Sequence, residues 1–144
     1  MPNFDDRAVL LYKYINTLME ELVVSNQAFI KTDAAELNLQ ERKAIDFLGR
    51  HPQAIMSELA AYLGVPLSTM TGIVDKLCRK KLVSRNRSEV DRRIVELHLT
   101  ADGERNYQEE REKFKQWSRA MLGRLSASEQ ESMLTILGKI VKRT

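Results

Sequence analysis

Apolar residues along the chain recur first at helical spacing, then at strand spacing, then at helical spacing again. Ala8, Leu11, Ile15, Leu18 and Leu22 lie three or four residues apart. That spacing puts them on one stripe and predicts a long amphipathic helix from about residue 5 to about residue 31. A second helix is predicted from Asn38, a good N-cap, with Glu41 three residues later where a capping-box acid belongs. Ala44, Ile45, Phe47 and Leu48 give it a buried side, and Pro52 restricts His51 so that it ends near Arg50.

Two shorter helices follow across a tight turn. Leu59, Ala60 and Leu63 form the apolar side of the first, Ser57 is placed to cap it, and Gly64 suits the left-handed conformation that closes such a helix. Pro66 opens the second, where its missing N–H costs little, and Leu67, Met70, Val74, Leu77 and Cys78 are its expected buried side. Two short helices with glycine at the corner predict a helix-turn-helix. The apolar period then shortens. Leu82-Val83 and the alternation from Ile94 to Leu99 read as two strands around a polar turn at residues 87–92, which makes a wing. Thr100 caps a further helix, with Asp102 in its first turn and Tyr107, Phe114, Trp117 and Met121 on its apolar stripe as far as Leu122. Ser126 and Glu129 form another capping box, starting a last helix with Met133, Ile136, Leu137, Ile140 and Val141 facing inward. The expected fold class is mainly α with a small β-hairpin wing. Residues 36–100 form the winged helix-turn-helix region of a single chain of 144 residues, and residues 1–32 and 101–144 form the flanking helices.

Composition narrows the class further. With 43% apolar and 30% charged residues the chain can build a soluble core. No apolar run approaches the roughly 20 residues that a membrane span needs. Asp5 and Asp6 precede the first apolar stretch, unlike a secretory signal, so no membrane association and a cytoplasmic location are expected. Cys78 is the one cysteine, and His51 and His98 lack metal-ligand spacing. A Gly-rich phosphate loop, a nucleophile elbow and a His-x-x-x-His pair are all missing from the sequence, so no catalytic residue, metal or cofactor is expected.

Charge is unevenly placed. The formal net charge is +3, yet residues 79–93 hold Arg79, Lys80, Lys81, Arg85, Arg87, Arg92 and Arg93 against only Glu89 and Asp91. The remainder of the chain is therefore net negative. Positive charge focused on one short segment is the footprint of a polyanion partner, or else a solvated surface run.

At this point the chain resembles the multiple-antibiotic-resistance regulator (MarR) family. Met56-Ser57-Glu58-Leu59-Ala60-Ala61-Tyr62-Leu63-Gly64-Val65 is similar to the first helix of that family's motif, and residues 67–77 to its recognition helix. The most specific likeness is Lys81-Leu82-Val83, then Asp91-Arg92-Arg93, then Val95-x-Leu97-x-Leu99-Thr100-x-x-Gly103. It spans residues 38–104 strongly and the flanking helices by pattern. The resemblance implies a transcription regulator, by expectation a repressor, binding a pseudo-palindrome in double-stranded DNA. It also implies a homodimer in which the first and last helices of two chains interlock. The residues allow this independently, since two helices outside a compact winged core carry more apolar surface than that core can cover.

A major groove admits one helix, whose outward side chains read base edges. The face opposite the buried stripe carries Ser68, Thr69, Gly72, Lys76 and Arg79, with Thr71 at its flank and Ser57 on the preceding helix. Ser68 and Thr69 suit bases or phosphates, and Lys76 and Arg79 suit phosphates. Gly72 reads either as allowing close approach to DNA or as a tolerated weak point. Arg92 and Arg93 suit a narrow minor groove. By resemblance Arg93 is the inserted residue and Asp91 orients it, the other reading of Asp91 being a turn residue. Arg85 and Arg87 are expected at phosphates or in water.

The resemblance further implies release by a small phenolic or anionic effector. Tyr12, Met19, Phe47 and Trp117 read first as core and, in the alternative, as lining for such a ligand. Cys78 reads as packing or, in the alternative, as a slow redox switch. A competing function is a winged-helix module that binds another protein. It would need an apolar recognition face and a neutral wing, and this sequence has a polar face and a basic wing.

Overall fold

The computed structural model describes the backbone of residues 1–29 and 37–141, and the side chains of residues 1–22 and 37–141. Within these the order is α1 (Phe4–Phe29), α2 (Leu39–Arg50), β1 (Ala54–Ile55), α3 (Met56–Leu63), α4 (Leu67–Arg79), β2 (Val83–Arg87), β3 (Val95–Leu99), α5 (Ala101–Leu122) and α6 (Ala127–Val141). The predicted last two residues of the first helix, 30 and 31, lie outside the described residues. The chain divides into two compact units: residues 33–111, and residues 1–32 together with 112–144.

The winged unit starts where local hydrogen bonding dictates. The Asn38 side chain accepts from the Glu41 N–H at 2.9 Å and donates to the Glu41 carboxylate at 2.8 Å, fixing the first turn of α2. Its largest fully buried side chains are Ile45, Leu59, Met70, Leu77, Leu97 and Val74, drawn from α2, α3, α4 and β3. These elements enclose one apolar core, whose burial supplies most of the driving force for the unit.

The sheet is antiparallel, in the order β1-β3-β2, with Ala54 opposite Leu97 and Arg85 also opposite Leu97. β1 is too short to show an alternation in sequence, and it corrects the expected start of α3. Ile55 pairs with Glu96 and occupies the N-cap in extended conformation, so Ser57 is the second residue of the helix and makes no cap. At the other end Gly64 takes φ 67°, and the Val65 N–H turns back to the Ala60 carbonyl at 3.1 Å. Pro66 is the N-cap of α4, one position before the first helical residue.

Two positions on α4 differ from expectation. Ile73 is buried with Met70, Val74 and Leu77, whereas Leu67 is 55% exposed. Leu67 lies on the same stripe, but it opens the first turn, which emerges from the core. Cys78 is half-buried and packs at the core edge.

The end of α4, the start of β2 and the start of α5 are knotted together. Lys81 sits at φ 62°, allowing the Leu82 N–H to reach the Leu77 carbonyl at 3.0 Å. The Thr100 hydroxyl donates to the Lys81 carbonyl at 2.6 Å and accepts from the Gly103 N–H at 3.0 Å, so the predicted cap of α5 also clasps the turn that follows α4. Gly103 lies so close that a methyl group there would overlap the Leu82 carbonyl oxygen.

In the other unit Ser126 and Glu129 form the expected reciprocal box, at 3.3 Å and 2.8 Å. The expected inward face of α6 is not covered, however. α6 has no buried residue, and Ile136, Leu137, Ile140 and Val141 are exposed. On α1, Leu11 and Ile15 are exposed as well. Among the described residues these stripes stand exposed. No described helix is long and apolar enough to cross a membrane.

Two glycines should respond oppositely to a methyl group. Gly103→Ala should lower the unfolding free energy by about 3 kcal/mol through overpacking against backbone. Gly72 has nothing within 4 Å of the added carbon. Gly72→Ala should therefore raise stability by about 1 kcal/mol, the helix propensity difference. Urea unfolding at one fixed protein concentration checks both.

Candidate nucleic-acid interface

Helix α4 presents the face that its period implies. Ser68, Thr69, Thr71, Gly72, Lys76 and Arg79 are all exposed, as is Ser57 on α3. The Thr71 hydroxyl donates to the Leu67 carbonyl at 3.0 Å, which leaves Ser68 and Thr69 as the hydroxyls of the first turn without that local bond. No acidic residue stands in that turn, so no carboxylate offsets the positive end of the helix dipole there. Lys76 and Arg79 occupy the last turn. The face thus runs from small hydroxyl groups to two cations along one helix.

The wing tip is held by Ser88, which is buried. Its hydroxyl accepts from the Val90 and Asp91 N–H groups at 3.2 and 3.3 Å, and its own N–H reaches the Ile94 carbonyl at 2.9 Å. The resulting turn places Asp91 for a two-point grip on Arg93. Arg93 donates from Nε to one carboxylate oxygen at 3.0 Å and from Nη2 to the other at 2.9 Å, and its backbone N–H adds a third bond at 3.1 Å. The Arg93 side chain nonetheless remains 90% exposed. An outward-pointing arginine with a fixed head is the result. The Arg93 side-chain bonds, followed by its backbone N–H, hold the Asp91 carboxyl below its ordinary range. The bond to Asp91 in turn raises the Arg93 guanidinium.

Other cations of the basic segment are paired within the chain. Arg85 was expected at phosphates or in water, but its guanidinium is paired with Asp75 of α4. Arg87 donates to the Arg92 carbonyl at 2.9 Å, leaving the exposed Arg92 side chain at the tip. Lys80 is bound to Glu41 at 2.6 Å, joining the buried capping-box acid of α2 to the residue that closes α4. The period-two face of β2, which holds Val83, Arg85 and Arg87, was the sequence signal for the Arg85 placement. No sequence signal linked Glu41 to Lys80, which is 39 positions away.

The suggested ligand-lining residues fall in different places. Phe47 is core of the winged unit, stacked near His51 and Tyr62 with ring centroids 4.4 and 4.7 Å away. Tyr12 and Met19 are exposed on α1, and Trp117 is half-buried on α5. The core reading therefore fits Phe47 and does not fit Tyr12 or Met19 in the single chain. No group of three or more His, Cys, Asp or Glu among the described residues could hold a metal ion.

Helix α3, the left-handed Gly64, helix α4 and the β2–β3 hairpin together define a winged helix-turn-helix protein. Residues 36–94 match the family model described as MarR family. The HTH-type transcriptional regulator BilQ of Clostridium symbiosum is 29% identical over 96 residues, 67% of each chain. The HTH-type transcriptional repressor MdtR of Bacillus subtilis is 29% identical over 106 residues, covering 67% of this chain and 68% of its own. Among solved structures, Streptococcus pneumoniae FabT in complex with DNA superposes with a TM-score of 0.81 at 26% identity, over 94% of this chain and 95% of that one. The winged core, residues 36–94, is thus similar to the MarR family.

Because Asp91 is held below its ordinary range, its grip on Arg93 should be complete above that range. It should be lost only as pH falls through the depressed value. Carbon-13 NMR of the Asp91 carboxyl should show this low titration, and Arg93→Ala should return it upward toward an ordinary aspartate.

Proposed function

We propose that this protein is a transcription regulator, acting as a repressor, that grips a pseudo-palindromic operator in double-stranded DNA as a homodimer. The observation that carries the reading is the pairing of two exposed readers in one unit. They are the polar face of α4 and the wing-tip Arg93 held by Asp91. A helix of this kind fits a major groove, and an arginine at a wing tip fits the adjacent minor groove, where narrow A·T-rich sequence concentrates negative potential. Ser57, Lys76, Arg79 and Arg92 would then serve phosphates, which position the protein without specifying sequence. Gly72, with open space beside it, would let the helix backbone come close to the bases.

The dimer reading is supported by the uncovered stripes. Leu10, Leu11 and Ile15 on α1 and Ile136, Leu137 and Ile140 on α6 are each 45–58% exposed. Apolar surface on this scale is characteristic of an interaction site. A second chain laid on these helices would cover them, and Tyr12 and Met19 with them. Two-fold symmetry would then place the two α4 helices on half-sites roughly 34–36 Å apart. Repression follows from the likeness to a named repressor and from simple occlusion of the duplex. Release by a small phenolic or anionic effector, and work in the cytoplasm where the DNA is, are proposed on the family likeness.

Selection of bound sequences from random duplexes should return an inverted repeat with half-site centres about one helical turn apart. Light scattering should give twice the chain mass. In the selected duplex, Arg93→Ala should weaken binding by about 1–3 kcal/mol while the thermal unfolding midpoint stays in place. A monomer in solution would remove the dimer, and unchanged operator affinity in Arg93→Ala would remove the wing from the mechanism.

A further inference from the structure

The contact between Asp75 and Arg85 joins the two readers. Asp75 stands on α4 one turn after Thr71 and Gly72 and one turn before Arg79, at the edge of the exposed face. A carboxylate at that edge would meet the phosphates of a bound duplex with like charge. Arg85 lies on β2, on the same face as Val83 and opposite the fully buried Leu97. Alternation therefore turns its side chain inward, toward α4, where the Asp75 carboxylate receives it.

Resting on the DNA-binding reading above, we propose that Asp75 and Arg85 are positioning residues. Their ion pair bolts the wing to the reading helix, fixing the offset between the major-groove and minor-groove contacts. Arg85 is thus withdrawn from the phosphates, and Asp75 is neutralised where it would otherwise repel them. Both side chains are partly exposed, at 36% for Arg85 and 48% for Asp75, so the pair adds little to global stability. Its effect falls on geometry. Without it the hairpin is held through its base, by the buried Val83 and Leu97, the pairing of Ala54 and Ile55 with β3, and the Thr100 clasp. The tip carrying Arg93 is then free to swing relative to α4. Non-specific binding, which asks only for positive charge, does not need the fixed offset.

The two roles for Arg85 predict opposite signs for Asp75→Asn. Fluorescence anisotropy is measured with the selected duplex and with a random duplex, across a salt series, for Asp75→Asn, Arg85→Gln and the double variant. Melting by circular dichroism shows that each is folded. As a bolt, each single variant weakens selected-duplex binding about tenfold, and the double variant is no worse than either single. In the double variant, whose net charge is unchanged, the slope of log K against log salt and the random-duplex affinity stay as in wild type. As a phosphate contact, Arg85→Gln lowers that slope by about one, and Asp75→Asn tightens binding by freeing Arg85. That second pattern, losses that multiply in the double variant, or no change in any variant overturns the bolt. Wild-type protein that binds neither duplex at low salt overturns the DNA-binding reading instead.

Discussion

The winged unit depends on one close approach, where the backbone of α5 meets the turn after α4. Gly103 lies against the Leu82 carbonyl, and Thr100 donates to the Lys81 carbonyl while capping α5. The Thr100 N–H also reaches the Leu82 carbonyl at 3.0 Å. Four consecutive structural events are fastened within a few ångströms there: the end of α4, the start of β2, the end of β3 and the start of α5. Lys81 must adopt a left-handed backbone to permit it, a conformation costing about 1–2 kcal/mol for a residue with a Cβ. The hydrogen bonds that converge on its neighbours offset that cost, because each satisfies a backbone group that would otherwise be orphaned at a helix end.

From that fixed point α4 and the β2–β3 hairpin extend, and charge decides what each can offer. The basic segment looks like a uniform cationic run in sequence, yet the fold sorts it. Lys80 is bound to a buried acid and Arg85 to Asp75, and Arg87 braces the backbone of the tip. Arg93 is held by Asp91 but points outward. Removing Lys80 would take the paired cation from the buried Glu41 carboxylate, a greater penalty than losing an exposed pair. The outward-facing positive charge is therefore concentrated in fewer side chains than the net charge of the segment suggests.

Much of this was legible in the sequence where the physics is local. Asn38 with Glu41, Thr100, Ser126 with Glu129, and Gly64 all act within a few residues, and each does what its position implies. The wing was legible from its change of period, while the Asp91-Arg93 pair was implied by the family resemblance and is present in the structure. What escaped depends on tertiary neighbours. β1 is two residues long and exists only because β3 pairs with it, which moved the start of α3 away from Ser57. Leu67 has the right period but lies in a turn that clears the core. The stripe of α6, read as facing inward, is exposed among the described residues, in keeping with the excess of apolar surface that the sequence puts on the flanking helices. Gly103 is marked in sequence only as part of a family pattern, while its necessity comes from an oxygen on another element.

The central claim is that α4 reads a major groove while the wing tip enters the neighbouring minor groove. Dimethyl sulfate footprinting on a selected duplex tests it most directly, since the reagent reports guanine N7 in the major groove and adenine N3 in the minor groove. The account predicts two clusters of protected guanine N7 about one helical turn apart, each flanked on its outer side by protected adenine N3. Uniform weak protection along the duplex, or major-groove protection with every adenine N3 left reactive, would contradict it.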